Sequence, residues 1–227
     1  MKNNEKKTLA AGLTLMGMFI IWTILVQTVD VQIAGETAKP VGFATLNLWF
    51  HRMTGVHFAL YNITDWLGLV PVAVCILFGA VGLVQLFKKK VDSDIIILGI
   101  YYVAVILAYL LFEEFPVNYR PVLIDGRTEA SYPSSTTLLV LSVMPTLVFQ
   151  TGRRLKNVTA IKAISILTAS FSVFMVTARL ISGVHWITDI VGAMLLSAGM
   201  FLIYRAAASK FFKMEVRLWN FMKNFRN

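Results

Sequence analysis

A single cysteine, Cys75, stands among 227 residues, so the chain can build neither an internal disulfide framework nor a cysteine-ligated zinc or iron–sulfur centre. Cys75 lies in an apolar run and reads as a small packing residue. Charge is also scarce. Asp, Glu, Lys and Arg make up 15% of the chain, where ordinary soluble domains carry about 25%. Hydrophobic residues reach 57% and the mean hydropathy is +0.71. So apolar a chain cannot hide its side chains in one soluble core, which points to a protein that crosses a membrane several times. No internal repeat or low-complexity stretch is present. The net charge of +9 does not indicate a nucleic-acid partner, because its distribution follows the membrane.

Six apolar segments run over residues 9–29, 66–87, 95–112, 136–150, 158–178 and 186–204. A helix needs about 20 residues to cross the hydrocarbon. The fourth segment is short and must borrow polar residues near Ser134 or Gly152. The expected fold is therefore all-α, a six-helix membrane bundle with both termini on one side. The N-terminus, the loops at 88–90 and 153–162 and the C-terminal tail hold sixteen basic and four acidic residues, a balance of +12. The opposite face holds five basic and eight acidic residues, a balance of −3. The positive-inside rule then puts both termini in the cytoplasm of a plasma-membrane protein. The first segment is too long for a signal-peptide core and reads as a retained anchor.

Residues 1–205 read as one membrane domain. In the tail, 206–227, apolar residues recur at helical spacing beside Lys210, Lys213 and Arg217. It is read either as a basic amphipathic helix on the anionic cytoplasmic leaflet or as a helix packed on the bundle's own end. On the other face the 30–65 loop carries Trp49, Phe50, Phe58 and Tyr61, which predicts an interfacial helix. His51 and His57 in that loop have no carboxylate at ligand spacing and read as interface histidines, with no metal site.

The second external loop, 113–135, leads into the chemistry. His185 and Asp189 share one helical face at i,i+4 near the start of the sixth span. Ionisable groups there are functional by default. A carboxylate one turn from an imidazole can hold Nδ1–H and leave Nε2 free as base, ligand or nucleophile. The plainer alternative is a buried polar pair joining two helices. Arg179 ends the fifth span and returns through Ser182-Gly183 beside His185, and Arg120 precedes Pro121 in the other loop. Two guanidinium forks about one imidazole make a cradle for a phosphoryl group. Pro133 and Ser134 open the fourth span, whose first-turn N–H groups also suit an anion.

The order Arg120-Pro121, Ser131-Tyr132-Pro133-Ser134 and Arg179-x5-His185-x3-Asp189 resembles the membrane branch of the type 2 phosphatidic acid phosphatase family, whose superfamily includes vanadium haloperoxidases. That family carries the motifs KxxxxxxRP, PSGH and SRxxxxxHxxxD within a six-helix bundle, and the resemblance covers residues 113–189. It implies that His185 is a nucleophile forming a phosphohistidine, with Asp189 orienting it. Arg120, Arg179 and Ser134 would then hold the phosphoryl oxygens. It also implies that no metal or other cofactor is needed, since the arginines supply the positive charge. The implied substrate is a lipid phosphate or diphosphate exposed on the extracytoplasmic side, such as phosphatidic acid, phosphatidylglycerophosphate or a polyprenyl diphosphate.

Four positions depart from the family pattern. Glu113 replaces the lysine of the first motif, Ser135 and Thr136 replace the glycine and histidine of the second, and Ala178 replaces the serine of the third. A missing general acid costs roughly 10²–10⁴-fold in rate. Three readings follow. The substrate is a diphosphate, whose leaving group needs an acid least. Alternatively a carboxyl group, Glu113, Glu114 or Glu129, donates the proton. In the third reading the chain binds a lipid phosphate without cleaving it. The external acids, with Asp125, either recognise a zwitterionic headgroup or pair with Arg120 and Arg127. A proton-relaying transporter is the competitor from another class, and the clustering of ionisable groups at one membrane face disfavours it.

Overall fold

The computed structural model describes residues 3–89 and 91–224, with side chains as far as Phe211. Among them, six helices are long and apolar enough to cross a membrane. In chain order the elements are α1 (Asn3–Thr28), β1 (Gln32–Ala34), β2 (Lys39–Val41), α2 (Ala44–Thr54), α3 (Phe58–Leu67) and α4 (Leu69–Phe87). There follow α5 (Ser93–Glu114), α6 (Ser135–Arg154), α7 (Val158–Ile181) and α8 (Ile187–Asn224). The first, third and fifth spans are α1, α5 and α7, and the sixth runs over Ile187–Phe211. α8 continues to Asn224, and the side-chain faces expected of the tail beyond Phe211 lie outside the described residues.

Hydropathy sorts the helices by depth. Half of the α6 and α8 spans is buried by protein, compared with 17–22% of the others. The two least lipid-exposed helices can therefore carry the polar residues. α6 places Thr137, Ser142, Thr146 and Gln150 inside, and most find partners: Tyr102 Oη lies 2.7 Å from Thr146 Oγ1, and Gln150 donates to Tyr204 Oη at 2.6 Å. Pro145 removes one N–H from the α6 ladder. The hydroxyls of Tyr101 and Thr146 donate to the nearby Ser142 and Val143 carbonyls.

α8 is the hub, packed along α1, α5 and α6. Its contact with α1 is close because both helices present glycine: a Cβ at Gly12 would lie 3.1 Å from the Gly199 carbonyl oxygen, and one at Gly199 would lie 2.9 Å from Met16 Sδ. At the end of the bundle where α5 begins and α6 ends, Arg154 grips Asp94 through both Nη atoms at 3.1 Å and also meets Gln150. This ties α5, α6 and α8 together opposite the site described below.

The largest difference from expectation is the second span, which begins at Phe58 rather than residue 66. α3 and α4 form one candidate span, Phe58–Phe87, broken only at Gly68. The polar residues Asn62, Thr64 and Asp65 interrupt the apolar run at its start. The fourth span gains its length by starting at Ser135 and running to Arg154. The rest of the 30–65 segment forms a cap: the β1–β2 hairpin and α2, the expected additional helix. Asn47 fastens this cap to the bundle, donating to the Gly42 carbonyl at 2.7 Å and to Thr188 Oγ1 at 3.0 Å.

Candidate active site

The site gathers where α7 ends and α8 begins. Ser182 and Gly183 turn the chain, and Gly183 takes a positive φ of 69° that favours glycine. The 55–57 segment lies against this turn, with the His57 amide donating to the Ser182 carbonyl at 2.9 Å. This arrangement brings His185 within electrostatic reach of Arg179. Both are buried, at 2% and 1% exposure.

His185 Nε2 faces Arg120 Nη1 at 3.4 Å. Its Nδ1 lies 3.7 Å from Asp189 Oδ2, beyond hydrogen-bond reach, and has no hydrogen-bond partner. Catalytic hydrogen bonds often tighten only once substrate binds. Burial, reinforced by the positive charges of Arg120 and Arg179, holds the His185 imidazole well below the usual histidine range, while the Ser131 backbone opposes part of that shift. These influences favour the neutral imidazole, the form that carries a ring-nitrogen lone pair.

Asp189 is firmly held. Its Oδ2 accepts from the Trp186 amide at 2.9 Å and its Oδ1 from Asn118 Nδ2 at 3.2 Å. Asn118 is itself buried and accepts the Ser131 amide through its carbonyl at 2.9 Å. It belongs to the 113–135 loop and was not anticipated from sequence, since no pairing rule links residues 71 positions apart. Leaving a buried carboxyl oxygen without its hydrogen-bond partner costs about 1–3 kcal/mol. Asn118→Ala is therefore expected to lower turnover about tenfold or more, read as kcat with KM little changed. Unchanged kcat would remove Asn118 from the site.

Arg120 Nε lies 3.0 Å from Glu129 Oε2, an ion pair whose angle does not make a hydrogen bond. Of the expected pairings between the external acids and Arg120 or Arg127, this one is realised among the described residues. Arg179 Nη1 donates to the Tyr61 carbonyl at 3.3 Å and to Thr64 Oγ1 at 3.1 Å, and its Nη2 lies 3.9 Å from Asp65. Tyr61, Thr64 and Asp65 share one face of α3. The signal that could have found them was a carboxylate, Asp65, at the mouth of an otherwise apolar span.

The structure places the remaining expected residues less uniformly. Ser134 is buried, with its amide donating to the Asp189 carbonyl at 3.2 Å and its Oγ to Thr137 at 3.1 Å. It joins the starts of α6 and α8, and both of its donors are engaged within the protein. Glu113 is exposed at the last turn of α5, beside a small crevice shared with Ser131 and Pro133. It makes no hydrogen bond or ion pair with His185, Arg120 or Arg179. Thr136 instead lines a groove of about 300 Å³ with Asp65, Leu69, Ile106, Tyr109 and Leu139. Burial pushes the His51 imidazole below the usual histidine range, and its ring packs 5.6 Å from Trp186. Among the described residues no group of three His, Cys, Asp or Glu side chains converges.

Residues 97–213, just over half of the chain, match the PAP2 superfamily. The chain belongs to that superfamily. All the motif positions, from Glu113 to Asp189, fall inside the matched region. A crystal structure described as the first transmembrane PAP2 type phosphatidylglycerolphosphate phosphatase, from Bacillus subtilis, shares the fold. The two align with a TM-score of 0.65 at 16% identity, over 88% of this chain and 96% of that one. No curated protein matches significantly. The protein is thus an integral membrane protein of lipid-phosphatase type.

Proposed function

We propose that this PAP2 protein hydrolyses a lipid diphosphate or phosphate at the extracytoplasmic face through a phosphohistidine on His185. The observation that carries the reading is the buried set of His185, Arg120 and Arg179, with Asp189 fixed behind the imidazole. Arg120 lies opposite Nε2 at 3.4 Å. A phosphoryl oxygen entering there takes over the Arg120 proton and frees the Nε2 lone pair. Nε2 then attacks phosphorus while the bond to the leaving oxygen breaks. Water next attacks phosphorus, the P–N bond breaks, and inorganic phosphate leaves with neutral His185 restored. The guanidiniums offset charge on the phosphoryl oxygens throughout.

A diphosphate is favoured over a phosphate monoester because Thr136 stands where the family places its acid. A phosphate leaving group needs little protonation, whereas an alkoxide needs much. The groove beside Thr136 supports a lipid substrate: Asp65 and Tyr109 meet apolar Leu69, Ile106 and Leu139 along it. The side is argued from charge. All site residues lie on the −3 face, opposite the basic loops, so residues 1–205 form the membrane domain with 206–227 as a cytoplasmic tail.

A second reading, lipid-phosphate binding without cleavage, draws support from the 3.7 Å separation of His185 and Asp189 together with Thr136. Phosphate release by purified protein in detergent separates the two. Release from a polyprenyl diphosphate at least about 100-fold faster than from phosphatidic acid is expected. Equal rates would refute the diphosphate preference, and binding without release from either would establish the second reading.

A further inference from the structure

Neither of the two arginines that hold the phosphoryl group in the reading above stands alone. The guanidinium of Arg179 lies 4.6 Å from the centroid of the Tyr61 ring, and that of Arg120 lies 5.7 Å from the same centroid. Both arginines are buried, at 1% and 6% exposure. Two positive charges brought together out of water repel each other, and an aromatic face, carrying the negative part of the ring quadrupole, attracts both.

We propose that Tyr61 is a positioning residue for the phosphoryl site, its ring serving as a shared platform that aims both arginines. The inference rests on the reading of Arg120 and Arg179 as the phosphate-binding pair. Three further observations support it. The ring is packed in a cluster with Val122, Ile124 and Val184, so its place is fixed by the loops on either side of the site. The Tyr61 carbonyl and the Thr64 hydroxyl together hold Nη1 of Arg179. That leaves Nε of Arg179 buried with no hydrogen-bond partner. A guanidinium held from behind at Nη1 offers its remaining edge to a ligand oxygen, the geometry in which arginine binds phosphate through two parallel hydrogen bonds. Tyr61 lies in none of the three family motifs.

The test is orthovanadate binding, measured by titration calorimetry on the full-length protein in detergent, so that no turnover is needed. Arg179→Ala, the control for the site itself, is expected to lose binding. Tyr61→Phe keeps the ring and should bind within about twofold of the parent, whereas Tyr61→Leu should bind about tenfold more weakly. A series with increasingly fluorinated phenylalanine at position 61 keeps the ring's shape while weakening its π face, and affinity should fall stepwise along it. This series decides the matter if Tyr61→Leu does not fold. A flat series, or Tyr61→Phe as weak as Tyr61→Leu, overturns the platform while a weak Arg179→Ala leaves the phosphate site standing. Full binding by Arg179→Ala would instead overturn the site on which the inference rests.

Discussion

Phosphate release from a lipid diphosphate is expected to fall by on the order of 10⁴-fold or more in His185→Ala. Removing a covalent nucleophile deletes the pathway itself, and losses of this size are typical of nucleophile knockouts. Arg120 and Arg179 remain in the variant, so lipid-phosphate binding should survive. The imidazole is buried at 2% exposure, and its removal leaves a small void. The thermal midpoint in detergent should therefore be measured alongside activity. Turnover within tenfold of the parent in a folded variant would show that His185 is not the nucleophile.

The second large effect concerns the turn that delivers His185. Gly183→Ala is expected to destabilise the protein by about 3 kcal/mol or more, for two separable reasons. Gly183 has a φ of 69°, where a side chain costs about 1–2 kcal/mol. In addition, a Cβ there would lie 2.0 Å from the Gly55 carbonyl oxygen, so backbone would have to move. That movement would shift both Arg179 and His185, and activity should fall further than stability alone explains. Gly126→Ala is the matched control, since Gly126 has a φ of 73° but nothing within 4 Å of a Cβ. It should show the conformational penalty alone. Equal loss of thermal midpoint in the two variants would mean that the contact with Gly55 is unimportant.

Much of this architecture was legible in the sequence because membrane helices announce themselves by hydropathy. α1, α5 and α7 emerged from apolar runs alone. α3 did not, because Asn62, Thr64 and Asp65 interrupt its apolar run, and only the fold shows Thr64 and Asp65 meeting Arg179. The site divides in the same way. Arg179, His185 and Asp189 sit close together in the chain, and helical spacing with one glycine turn brings them together. Arg120 was legible only as a second arginine in the loop on the same face, and the structure sets it against His185. Asn118 and Tyr61 act across 71 and 118 positions, on Asp189 and Arg179 respectively, and no local pattern encodes such pairings. Ser134 shows the converse: a residue expected to face phosphate has its amide on the Asp189 carbonyl of α8 and its hydroxyl on Thr137 of α6.

The central claim is the covalent role of His185, and rapid quenching of the protein with a phosphorus-labelled polyprenyl diphosphate tests it most directly. The account predicts a phosphoenzyme that is stable in base and labile in acid, mapped to the peptide containing His185 and missing from His185→Ala. Steady release of phosphate with no label on that peptide, or label that persists in His185→Ala, would contradict it.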